Sequence, residues 1–159
     1  MTIALGILTT DGVVLAADTE HTWSYLKTSS SKLSSATGNG SIAITGSGTS
    51  GYLEGLSQKL SSIFVGNPSL GIGELEKEFE AELRSFFEEH VIPFAAFATP
   101  PFCDLVIGVQ RDNRQALWAT RTHRCDDARA TPLQVLGESM QSRCLREYSI
   151  LRVSSRRSS

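Results

Sequence analysis

Two short apolar runs, Ile3-Ala4-Leu5-Gly6-Ile7-Leu8 and Val13-Val14-Leu15-Ala16-Ala17, are separated only by Thr9-Thr10-Asp11-Gly12. An Asp-Gly pair is expected to supply the positive φ that a tight reversal needs, so the stretch predicts an antiparallel hairpin. Thr2 precedes the first strand and Asp18 follows the second. Removal of Met1 would place a hydroxyl and a free α-amine on one residue, Thr2. Such a residue is a candidate nucleophile that carries its own base.

Beyond the hairpin, Thr19 to Ser31 is polar, with Trp23 and Tyr25 embedded, and reads as a long excursion before Lys32-Leu33. Gly38-Asn39-Gly40 marks a turn. Ser41-Ile42-Ala43-Ile44-Thr45 reads as a buried strand running into the glycine loop Gly46-Ser47-Gly48-Thr49-Ser50-Gly51. Tyr52, Leu53, Leu56, Leu60, Ile63 and Phe64 then recur at helical spacing. Gly66-Asn67-Pro68 ends that helix. A second begins near Glu74 and carries Leu75, Phe79, Leu83, Phe86 and Phe87 on one face. Its Glu74, Glu76, Glu78, Glu80 and Glu82 form a solvated face rather than a catalytic pair, because neighbours at i and i+2 point to different sides of a helix. Asp104 to Val109 and Gln115 to Thr120 predict a second hairpin around a turn at Arg111 to Arg114, and Leu133 to Leu136 a further strand.

Strands, two helices and strands again indicate an α+β class with helices on one side of antiparallel sheets. A single domain is expected over 1–150, followed by a basic, Ser-rich and Arg-rich tail over 151–159. A net charge of -2, with 40% hydrophobic and 20% charged residues, excludes a disordered chain and gives no reason to expect nucleic-acid binding. No apolar stretch approaches the roughly 20 residues of a membrane span, and no basic segment precedes an apolar one at the N-terminus; a cytoplasmic protein is expected. Cys103, Cys125 and Cys144 are too few and too widely spaced for a disulfide framework. His123, Cys125, Asp126 and Asp127 lack a familiar ligand spacing and read as an exposed turn, so no metal or cofactor is expected.

Gly46, Gly48 and Gly51 satisfy the spacing of a dinucleotide fingerprint, but no second strand-helix unit follows at the required distance. The same glycines can present backbone N–H groups to an oxyanion. If the first strands pair as antiparallel neighbours, Thr2, Asp18, Lys32 and Gly46 meet at one sheet edge. A lysine cation beside an α-amine, whose reference pKa is about 7.7–8.0, helps keep that amine neutral. Asp18 would orient Lys32, and the Gly46 N–H would receive the negative oxygen of a tetrahedral intermediate. Lys27 competes with Lys32 for the lysine's place.

Thr2-Ile3, Asp11-Gly12-Val13-Val14-Leu15-Ala16-Ala17-Asp18-Thr19, Lys32-Leu33 and Gly46-Ser47-Gly48 together resemble the N-terminal half of proteasome β-type subunits and bacterial proteasome-like peptidases, members of the N-terminal nucleophile hydrolases. The resemblance implies an αββα sandwich, incomplete or altered at its C-terminal end. It also implies a threonine-type endopeptidase that forms a ring oligomer, cuts polypeptides and works with an ATP-dependent unfoldase. In this resemblance Thr2 is the nucleophile, Asp18 and Lys32 its activating pair, and Gly46 the oxyanion donor. Ser139, in Gly137-Glu138-Ser139, is the nearest counterpart of a serine that the family sets beside the nucleophile. The chain departs from the family pattern at Ile3, Glu20 and His21. A non-catalytic structural or defective subunit is the alternative.

Overall fold

The computed structural model describes residues 3–23, 26–94, 102–120 and 151–153. The first hairpin forms where the sequence predicts it, with β1 (Ala4–Leu8) antiparallel to β2 (Val13–Ala17) in a register that sets Leu5 opposite Ala16 and Ile7 opposite Val14. Gly12 does not take the expected positive φ, which among the described glycines belongs to Gly40 and Gly48. Its turn is closed by Thr9, whose N–H and Oγ1 both donate to the Gly12 carbonyl, at 2.9 and 2.8 Å.

The polar stretch after Asp18 is not an open excursion. It holds a second hairpin, β3 (Glu20–Trp23) and β4 (Leu26–Ser29), paired antiparallel. Polarity concealed it because a two-stranded ribbon can be held by backbone pairing without an apolar face.

A five-stranded antiparallel sheet follows, in the order β5-β6-β7-β8-β9. Its strands are β5 (Ser34–Gly38), β6 (Gly40–Gly48), β7 (Cys103–Arg111), β8 (Arg114–Ala119) and β9 (Leu151–Val153). Three differences from the sequence reading stand out. The glycine-rich stretch begins inside a strand, since Gly46, Ser47 and Gly48 pair with Leu105, Asp104 and Cys103. Arg111 belongs to β7 rather than the turn, which consists of Asp112 and Asn113 at φ 51 and 57. Leu151–Val153, assigned from sequence to the tail, extend the sheet against β8.

Helices α1 (Ser50–Gly66) and α2 (Ile72–His90) lie against one face of this sheet. Alternation along the strands directs Ile42, Ile44, Leu105, Ile107, Val109, Ala116 and Trp118 into the helix layer, where they meet Leu56, Leu60, Phe64, Leu75, Phe79, Leu83 and Phe86. Each large side chain buried there contributes about 1.5–3 kcal/mol relative to exposure. Phe79 meets Trp118 edge-on at 5.8 Å, a favoured aromatic geometry. The N-terminus of α2 is capped by Glu74, whose Oε2 accepts the Gly71 N–H at 2.9 Å.

Strands β1 and β2 lie against β6, β7 and β8. Glycines allow this close approach: a Cβ on Gly6 would stand 2.7 Å from Leu117 and 2.8 Å from Val106, and one on Gly108 would stand 2.7 Å from Val13. The described residues thus form an α+β fold in which two helices, an antiparallel sheet and an antiparallel hairpin follow as layers. The predicted strand at Leu133 to Leu136 lies outside the described residues. Among them, no helix is long and apolar enough to cross a membrane.

Candidate functional site

Asp18 stands where backbone pairing passes from one partner to another. Its N–H donates to the Ile3 carbonyl at 3.0 Å, continuing the β1–β2 ladder, whereas the carbonyl of Thr19 accepts from Ser30 N–H at 3.0 Å, continuing β3–β4. The carboxylate gathers the neighbouring chain segments. Asp18 Oδ1 accepts the Ile3 N–H at 3.2 Å and the Lys32 Nζ at 3.0 Å. Lys32 also donates to the Glu20 carbonyl.

Burial at this pair is uneven. The Lys32 side chain is 5% exposed and the Asp18 side chain 26% exposed. A lysine so enclosed needs acceptors for its ammonium, and the Asp18 carboxylate and Glu20 carbonyl provide them. The Lys32 hydrogen bond is the main reason that the Asp18 carboxyl titrates below its ordinary value of 3.8; burial opposes this, and the Ile3 N–H assists it. Lys27 lies in β4 opposite Thr22, and the Lys32 ammonium reaches Asp18.

Gly46 belongs to the five-stranded sheet and Asp18 follows the separate β1–β2 sheet, so the site residues do not share one sheet edge, and it is the β5–β6 register that relates Gly46 to Lys32. Ser34 is the β5 residue paired with Ile44, so Lys32, two residues before Ser34, and Gly46, two residues after Ile44, lie beyond the same end of the ladder. The direction of the Gly46 N–H follows from its other neighbour. Leu105, opposite Gly46 on β7, turns both backbone groups toward Thr120: its N–H donates to Thr120 Oγ1 and its carbonyl accepts Thr120 N–H, each at 2.9 Å. Gly46 and Leu105 are therefore a non-hydrogen-bonded pair, and the Gly46 N–H points away from β7 toward the β5 side. Only glycine fits here. A Cβ would lie 2.2 Å from the Asp104 carbonyl oxygen and 3.0 Å from Leu53 and Leu105.

The structure thus brings Asp18 and Lys32 into direct contact with each other, joins Asp18 to the backbone next to Thr2 through the Ile3 N–H, and sets Gly46 past the β5–β6 ladder end where Lys32 also lies. Thr2, Ser139 and the His123, Cys125, Asp126 and Asp127 group lie outside the described residues. Two participants escaped sequence reasoning, the Glu20 carbonyl and the Ile3 N–H. Both are backbone groups, for which side-chain chemistry carries no signal. Thr120 was likewise seen only as strand sequence, yet its hydroxyl and N–H set the orientation of Leu105.

Other chemistry is disfavoured by geometry. Gly46 and Gly48 lie within an antiparallel sheet, and a dinucleotide fingerprint requires a parallel strand-helix-strand unit. The Cys103 thiol is 4% exposed, and burial, followed by the nearby Asp104 charge, pushes its pKa up to about 12, so it is not a ready thiolate nucleophile.

Comparison of the chain with protein-family models, with curated proteins and with solved structures found no match.

Proposed function

We propose that this chain is a proteasome-like threonine-type endopeptidase subunit, with Thr2 as nucleophile once Met1 is removed. The observation that carries the reading is the enclosed Lys32 ammonium held on the Asp18 carboxylate, which also accepts the N–H of Ile3, the residue after Thr2. The Thr2 hydroxyl gives its proton to its own α-amine as Oγ attacks the scissile carbonyl carbon. Lys32 favours the neutral amine by charge repulsion, and Asp18 fixes the lysine. The Gly46 N–H donates to the oxygen that becomes negative in the tetrahedral intermediate. Collapse of that intermediate releases the amine product with the returned proton and leaves an ester on Thr2, which water then hydrolyses.

In this reading the observed layers belong to an αββα sandwich, and the chain assembles into a ring that receives polypeptides from an ATP-dependent unfoldase. Support for the reading is the Asp18–Lys32 pair and the position of Gly46 beyond the ladder end where Lys32 lies; the resemblance in sequence supplies the role of Thr2 and proposes Ser139 as a neighbour.

Hydrolysis of fluorogenic peptides by purified protein, together with N-terminal mass analysis, tests it. The expected result is a chain beginning at Thr2 whose activity disappears in Thr2→Ala. Retained Met1 with no hydrolysis would instead favour a non-catalytic subunit, and undiminished hydrolysis by Thr2→Ala would remove Thr2 from the mechanism.

A further inference from the structure

We draw no further inference here: the strongest candidate, the exposed apolar face of the β1–β2 hairpin formed by Ile3, Leu5, Ile7 and Val14, carries no proposal because nothing in the structure shows what covers it.

Discussion

Asp18 does two jobs with one oxygen, since Oδ1 receives both the Lys32 ammonium and the Ile3 N–H. Both bonds favour the ionised carboxylate, and a carboxyl whose folded pKa lies below its unfolded value stabilises the fold above the unfolded pKa. That contribution is lost as pH falls through the lowered folded pKa. The stability difference between wild type and Asp18→Asn should consequently be constant above about pH 5 and shrink on acidification below the ordinary carboxylate range. Chemical denaturation across that range measures it, with the Asp18 carboxyl followed by NMR. A difference that instead grew toward low pH would mean that the carboxylate is not the stabilised form.

Arg111 shows how one side chain joins elements that are distant in sequence. It is 1% exposed, and its guanidinium stands 4.1 Å from the centre of the Phe64 ring. Nε donates to Asn39 O at 2.8 Å, Nη1 to Asn67 O and Leu70 O at 2.9 Å each, and Nη2 to Phe64 O at 2.8 Å. These carbonyls belong to the β5–β6 turn, the end of α1 and the connection to α2. Helix carbonyls at a C-terminus lack partners within the helix, and the planar guanidinium satisfies several together. Arg111→Ala should cost about 2–4 kcal/mol in urea denaturation, with Arg111→Lys recovering only part. A loss within about 0.5 kcal/mol would show that water replaces the guanidinium without penalty.

At this scale the sequence is legible wherever period and burial agree. Leu56, Leu60 and Phe64 mark α1, and Leu75, Phe79, Leu83 and Phe86 mark α2, because each set occupies one buried helix face. Agreement fails at Gly46-Ser47-Gly48, whose composition reads as loop while pairing to β7 makes it strand. Arg111 misleads for a related reason: its four acceptors come from segments that only the tertiary fold assembles. The carboxylate and lysine of the candidate site were visible as side chains. The Glu20 carbonyl that shares Lys32 was not, because any residue type supplies a carbonyl.

The whole molecule depends on how closely the β1–β2 hairpin approaches the five-stranded sheet, and Asp18 lies at the end of that hairpin. Gly108→Val would force a side chain against Val13 and Leu15. Overpacking of this kind costs about 1–3 kcal/mol, measurable by thermal unfolding. If the hairpin shifts to accommodate valine, the proposed peptide hydrolysis should fall more than stability does, because the candidate site draws on both the displaced hairpin and β6. An unchanged melting temperature with full hydrolysis would show that the layer spacing is not critical.

In the proposed mechanism Lys32, held by Asp18, activates the amine and hydroxyl of Thr2. The most direct measurement is labelling by an electrophile that bonds jointly to an N-terminal threonine's hydroxyl and amine, read by intact mass and peptide mapping in wild type and in a folded Lys32→Ala variant. The expected result is stoichiometric modification at Thr2 in wild type and a fall in labelling rate of about 10-fold or more in Lys32→Ala, the effect of about one unit in the amine's pKa once the neighbouring cation is gone. Equal labelling rates in the two proteins, or a wild-type chain with free Thr2 that takes no label, would contradict it.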